Sequence, residues 1–193
     1  SAPILKGFFL AVQQLVNEKR LLAYHDRSDG GLFTSIVEMA FAGKTGVNIY
    51  LDQLSGAAIE LLFNEELGAV VQVSAAEKEY VLKVFAKFEI QHLVHSIGSL
   101  NNTDQIVFTQ NGQVVLENSR VFYRQTWAQT TLHMQKLRDN PSCAEQEYSA
   151  KADVKDPGLH ANLSFDVTED VAAPYIHRGV APRIAILREQ GVN

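Results

Sequence analysis

Residues 23–32, Ala-Tyr-His-Asp-Arg-Ser-Asp-Gly-Gly-Leu, constrain the fold more than any other part of the sequence. The residues just before the charged ones, 21–24, form a short apolar run that is typical of a buried strand. After the polar residues, apolar side chains recur at helical spacing, at Leu32, Ile36, Val37, Ala40 and Phe41. The segment therefore predicts a strand, a tight turn and a helix in immediate succession.

The polar residues of this turn are of the types that bind phosphate and metal ions. Backbone N–H groups and the positive end of a helix converge there, and Gly30 and Gly31 lack the Cβ that would keep an anion away. Ser28 offers a hydroxyl to a phosphate oxygen. Asp26, at the carboxyl end of the strand, offers an oxygen to Mg²⁺, which takes few protein carboxylates and completes its shell with water and phosphate. A second interpretation stays open, in which Ser28 or Asp29 caps the helix and the glycines only form the turn.

Charge and composition exclude several classes of protein. The 193 residues carry a net charge of −5, whereas nucleic-acid-binding domains usually have a basic excess. No apolar run approaches the roughly 20 residues that span a bilayer, and the N-terminus has no signal-peptide pattern. We therefore expect a cytoplasmic protein without nucleic-acid or membrane partners. Cys143 is the only cysteine, which excludes an intrachain disulfide and is interpreted as an inert thiol.

Hydrophobic periodicity divides the rest of the chain into helices and strands. In addition to the helix after the turn, it predicts helices over residues 4–20, 75–88 and 119–138, with Trp127 in the core. It predicts strands over residues 47–51, 67–73, 93–97, 105–109 and 113–117. Of these, 67–73 is expected to be a central strand, and Asn111-Gly112 predicts a hairpin between the last two. Because hairpins require antiparallel strands, we expect an α/β (α+β) layered domain with a mixed sheet.

The periodicity ends at residue 139. Residues 139–182 are rich in proline, glycine and acidic side chains, which indicates a linker, with a short helix near 144–151. Residues 183–187 then read as a strand with no partner after it. We therefore expect further chain beyond Asn193.

Two strings around the turn carry a resemblance to a known family. His-Asp-Arg-Ser-Asp-Gly-Gly-Leu at 25–32 and Val-Glu-Met-Ala-Phe-Ala-Gly at 37–43 resemble the phosphoribosylformylglycinamidine synthases, the large single-chain formylglycinamide ribonucleotide amidotransferases of purine biosynthesis. Further segments resemble the same family in the same order, at residues 64–70, 127–131, 137–141, 163–166, 174–176 and 184–193. The resemblance thus covers nearly the whole chain.

The resemblance implies three parts. Residues 1–138 resemble the second of the family's C-terminal domains that are similar to that of aminoimidazole ribonucleotide synthetase. Residues 139–182 correspond to a linker, and residues 183–193 to the first strand of a class I glutamine amidotransferase (glutaminase) domain. The nucleophilic cysteine of that domain is expected beyond Asn193.

The resemblance also implies an activity for the intact protein: ATP-dependent carbon–nitrogen ligation that converts formylglycinamide ribonucleotide, ATP and glutamine to formylglycinamidine ribonucleotide. It implies Mg²⁺ and ATP or ADP as cofactors, with Asp26 as a metal ligand and Ser28 as a nucleotide contact. The rest of the same polypeptide would be the partner, since it supplies the N-terminal half of the nucleotide cleft, and the isolated fragment is expected to be inactive. An alternative stays open: a non-catalytic, architectural domain that holds a structural nucleotide and docks the glutaminase domain.

Two other side chains of the turn have functional interpretations. His25 is a candidate for proton transfer at neutral pH, although a histidine that ends a strand more often has a structural role. Arg27 either binds phosphate or pairs with Asp29, and we expect the ion pair.

Overall fold

The computed structural model describes residues 1–176, 178, 179, 183 and 185, and the chain divides into two compact units, residues 1–156 and 157–193. The first unit holds, in chain order, α1 (Ala2–Asn17), β1 (Ala23–Asp26), α2 (Gly31–Gly43), β2 (Gly46–Tyr50), α3 (Ala58–Phe63), β3 (Ala69–Gln72), α4 (Lys78–Lys87), β4 (Gly98–Asn101), β5 (Gln105–Gln110), β6 (Gln113–Ser119), α5 (Arg120–Arg138) and α6 (Pro141–Ala150). In the second unit, a 3₁₀ turn spans Ala173–Tyr175. The strand predicted over 183–187 lies outside the described residues.

The larger sheet is mixed, with the strand order β4–β2–β5–β6. Strands β2 and β5 are parallel, whereas β4 pairs with β2 and β6 pairs with β5 in antiparallel fashion. Asn111 and Gly112 connect β5 to β6 with φ values of 52° and 73°, as a two-residue hairpin turn requires. The predicted fold class, a layered α/β domain with a mixed sheet, is confirmed.

The smaller sheet has two antiparallel strands, β1 and β3, with Asp26 opposite Ala69. The prediction of a central strand over 67–73 is wrong, because β3 lies in this two-stranded sheet and all its residues are only half-buried. The prediction of a strand over 93–97 is also wrong. A 3₁₀ turn occupies Gln91–Leu93, and the strand that pairs with β2 begins at Gly98.

The core consists of two clusters. In the larger one, the apolar face of α2 packs on the four-stranded sheet, with Ile106 and Phe108 of β5 fully buried. In the smaller one, α1 packs against α4. The prediction that Trp127 lies in the core is wrong, since its side chain is 53% exposed. Its neighbour Ala128 faces the core, and consecutive helical residues point about 100° apart.

Among the described residues, no helix combines the length and the apolar character that crossing a membrane requires.

Candidate nucleotide-phosphate and metal site

The turn between β1 and α2 brings the polar residues to one end of the two-stranded sheet. Asp26 is the last residue of β1, and α2 begins at Gly31. Gly30 and Gly31 have φ values of 80° and 70°, in the left-handed region that favours glycine. The N–H of Gly31 donates to the carbonyl of Ser28 at 2.9 Å. The predicted succession of strand, turn and helix is confirmed.

The N-cap residue of α2 is Gly30, so neither Ser28 nor Asp29 occupies the capping position. The interpretation in which Ser28 or Asp29 caps the helix is therefore wrong, and both residues are exposed. The expected ion pair of Arg27 with Asp29 is also not among the ion pairs of the described part of the chain. The Arg27 guanidinium instead lies against Gly68, where an added Cβ would be 2.9 Å from its Nη2. Ser28 and Asp29 are thus open to solvent beside the helix start.

Asp26 presents an exposed side chain on a fixed main chain. Its Oδ1 accepts a hydrogen bond from the hydroxyl of Tyr24 at 2.5 Å. Its carbonyl oxygen lies 2.6 Å from Nδ1 of His25 and 3.2 Å from the hydroxyl of Ser35, a buried residue of α2. The strand end is therefore attached to α2 through its backbone, and the second carboxylate oxygen has no hydrogen-bond partner among the residues that the structure describes.

Burial and the hydrogen bond to Asp26 raise the pKa of Tyr24 to about 12. The hydroxyl therefore keeps its proton, and its bond to Asp26, throughout the neutral range. The stability that it contributes is fully present below the pKa of an unfolded tyrosine, about 10, and is lost as the pH rises towards 12. We expect an ultraviolet titration of phenolate absorbance to lose a late component in Tyr24→Phe and to shift that component to lower pH in Asp26→Asn.

The pKa values of Tyr80 and Tyr123 are raised as well, so the comparison with the parent chain is what isolates Tyr24. If the late component persists unchanged in Tyr24→Phe, it does not come from Tyr24, and the raised pKa assigned to this residue is wrong.

The two glycines make contacts that the sequence did not predict. The N–H of Gly30 donates to Oε1 of Glu65 at 2.9 Å, so a carboxylate lies where a phosphate is expected. Gly31 packs against the end of α3, where an added Cβ would be 2.7 Å from the carbonyl oxygen of Leu62 and 2.8 Å from that of Asn64. Packing thus requires a glycine at position 31. The nucleotide contacts assigned to Gly30 and Gly31 stay predictions.

His25, Glu38 and Trp127 form a chain of hydrogen bonds that no sequence pattern indicated. Nε2 of His25 lies 2.9 Å from Oε2 of Glu38, and Nε1 of Trp127 donates to Oε1 of Glu38 at 2.9 Å. The partners are 13 and 89 residues apart in sequence, so neither helical nor strand spacing relates them. Since both ring nitrogens of His25 face acceptors, the geometry favours a holding role, and proton transfer by His25 stays a prediction.

In the part of the chain that the structure describes, no three His, Cys, Asp or Glu side chains are grouped so that they could hold a metal ion. Asp26 by itself contributes one exposed carboxylate. This donor set fits Mg²⁺, which commonly takes one or two carboxylates and several water or phosphate oxygens, and it does not fit the three or four protein ligands of zinc. A magnesium ion at Asp26 would need its other ligands from phosphate, water or another part of a larger protein.

The fold and the turn define the class of protein: an α/β domain with a mixed sheet and a glycine-containing turn that leads from a strand into a helix. Residues 3–111 match the sequence profile of the family described as "AIR synthase related protein, C-terminal domain". The match covers more than half of the chain, and the chain belongs to this family. The expected relationship to the C-terminal domain of aminoimidazole ribonucleotide synthetase is thereby confirmed.

Solved structures from Thermotoga maritima have a similar fold. The structure of PurLQS is 20% identical with a TM-score of 0.53, over 60% of this chain and 20% of that chain. PurL complexed with ATP is 21% identical with a TM-score of 0.52, over 60% and 20% of the two chains. PurL complexed with FGAR is 20% identical with a TM-score of 0.53, over 61% and 20%. The chain thus spans about a fifth of the length of these structures, and at this identity the likeness concerns the fold.

Proposed function

We propose that this chain is the second aminoimidazole-ribonucleotide-synthetase-like C-terminal domain of a large single-chain formylglycinamide ribonucleotide amidotransferase. In this proposal Asp26 ligates Mg²⁺, and Ser28, with Gly30 and Gly31, contacts the phosphates of ATP or ADP. Residues 139–182 would connect the domain to a glutaminase domain whose first strand includes 183–193. The observation that carries the proposal is the exposed Asp26 carboxylate at the end of β1, beside the start of α2.

The charges of the turn support a phosphate–metal ligand. The N-terminus of a 13-residue helix favours an anion, while the carboxylate of Asp26 two residues before Ser28 favours a cation. A magnesium–nucleotide complex would satisfy both, because Asp26 would hold the metal and the start of α2 would hold the phosphates. The metal would supply charge neutralisation for phosphoryl transfer.

The contact of Gly30 with Glu65 adds a condition to this proposal. A phosphate that accepts the N–H of Gly30 must displace the carboxylate of Glu65, since that N–H donates to Glu65 in the structure. Glu65 is exposed, as are Ser28 and Asp29 in the turn, so the carboxylate can return to water at little cost. Nucleotide binding is therefore expected to release Glu65 from α2.

The test uses Asp26→Asn in the complete amidotransferase to which the proposal assigns this chain. Asparagine keeps the size and one oxygen but removes the charge that holds a divalent cation. We expect the variant to fold normally and to lose most of its bound Mg²⁺ and ADP, measured per protein molecule after desalting. Asp29→Asn is the matched control, because Asp29 lies in the same turn, is also exposed and has no assigned ligand.

The amount of bound ADP in the parent also distinguishes a catalytic domain from an architectural domain that holds a structural nucleotide. ADP that the parent retains through purification favours a structural nucleotide, whereas a nucleotide that turns over favours a reacting one. Metal and nucleotide contents in Asp26→Asn equal to those of Asp29→Asn would refute the assignment of Asp26.

A further inference from the structure

Side chains from three elements are joined by hydrogen bonds next to Asp26, the candidate metal ligand. Strand β1 carries His25 and Asp26, α2 carries Glu38, and α5 carries Trp127. Glu38 joins them, because one of its carboxylate oxygens is bonded to His25 and the other to Trp127, both at 2.9 Å. The family match ends at residue 111, so Trp127 belongs to a part of the chain outside the matched region.

The imidazole of His25 contacts both Glu38 and the main chain of Asp26. Its Nδ1 lies 2.6 Å from the carbonyl oxygen of Asp26, the shorter of the two contacts that hold this carbonyl. The other donor, the hydroxyl of Ser35, also lies 3.0 Å from the carbonyl of Gly31 and is shared between the two acceptors. Of the two contacts to the Asp26 carbonyl, the one from Nδ1 of His25 is therefore the shorter and is not shared with a second carbonyl.

The surroundings of Glu38 hold its two partners in place. The side chains of His25 and Glu38 are each 28% exposed, which shields the pair partly from solvent. The indole of Trp127 packs edge-on against Phe41, with the ring centroids 6.3 Å apart, and the guanidinium of Arg124 lies over both rings. The indole is thereby fixed with its N–H towards Glu38.

We propose that Glu38 is a positioning residue for the metal site: together with Trp127 it orients His25, which holds the main chain of Asp26 so that the carboxylate points at the ligand. The inference rests on the proposed function in that Asp26 must bind a divalent cation. Residues that orient a metal ligand through a second hydrogen bond typically change metal affinity by about 10- to 100-fold when they are removed. Glu38 acts here on the backbone of the ligand, so the lower end of that range is expected.

The test titrates the 193-residue chain with Mn²⁺ alone and follows the paramagnetic broadening of backbone amide signals by NMR. In the parent, the amides around Asp26 are expected to broaden first. Glu38→Ala should weaken this Mn²⁺ affinity about tenfold. Glu38→Gln should weaken it less, because its amide oxygen still accepts from Trp127. Glu79→Gln, which removes one exposed charge from α4, should match the parent.

Trp127→Phe tests the same hydrogen bond from its other partner and leaves the Glu38 side chain unchanged. It keeps a ring against Phe41 and removes the indole N–H, and we expect an affinity between those of the parent and Glu38→Ala. Because Trp127 is the only tryptophan, its emission in Glu38→Ala reports independently whether the hydrogen bond to position 38 is lost.

The outcomes separate the two proposals. If Asp26→Asn keeps the broadening around position 26, the metal assignment fails and this inference fails with it. If Asp26→Asn abolishes the broadening while Glu38→Gln and Trp127→Phe bind Mn²⁺ like the parent, the positioning role of Glu38 alone is overturned. A Glu38→Ala chain that does not fold leaves this decision to the two conservative variants.

Discussion

Replacing Gly31 by alanine is expected to destabilise the domain by about 3 kcal/mol or more. At φ 70° an alanine would adopt the left-handed conformation, which destabilises the folded state by about 1–2 kcal/mol. Its Cβ would also come within 2.8 Å of the backbone of residues 62–64 at the end of α3. These are backbone atoms of a packed segment, so they cannot turn aside as a flexible side chain would. Urea unfolding, followed by circular dichroism, measures the loss.

Gly43→Ala is the control for this prediction. Gly43 lies at the other end of α2, and its added Cβ would make only an ordinary contact of 3.4 Å with Thr45. Because alanine is the better helix former, we expect this variant to be unchanged or stabilised by up to about 1 kcal/mol. Equal losses in Gly31→Ala and Gly43→Ala would show that the packing of the turn against α3 is not the cause.

The second large effect is expected for Asp104→Asn, at about 2–3 kcal/mol of lost stability. Arg120 begins α5 with a side chain that is only 6% exposed, and Asp104 accepts from its Nε at 2.6 Å and its Nη2 at 3.0 Å. The substitution leaves the guanidinium buried without a negative partner. Asparagine is the correct replacement because Asp104 has φ 57°, a conformation that asparagine tolerates and alanine does not.

The control for this pair is Asp139→Asn. Arg138 and Asp139 also form two hydrogen bonds, at 2.8 and 2.7 Å, but at the exposed end of α5. Water screens that pair, so we expect no measurable change in the free energy of unfolding. A double-mutant cycle with Arg120→Met should then return a large coupling energy for Asp104. A coupling as small as that of the exposed pair would contradict the role given to burial.

Local sequence signals determined the part of the site that lies within one segment. The turn of residues 23–32 follows from an apolar run, a glycine pair and a helical repeat, all of which act over a few residues. The hairpin at Asn111-Gly112 is equally local, since both residues must adopt positive φ. Asp26 and Ser28 could therefore be selected as candidate ligands from the sequence.

Tertiary structure alone decided which distant groups face that segment. Glu65 meets Gly30 across 35 residues, and Trp127 meets Glu38 across 89, distances at which neither periodicity nor propensity carries information. Tertiary structure also decided the place of β3. Its apolar run fits a central strand, but the strand pairs with β1 in a two-stranded sheet. A hydrophobic pattern records that a side chain can be buried, whereas the partner that buries it depends on how the whole chain packs.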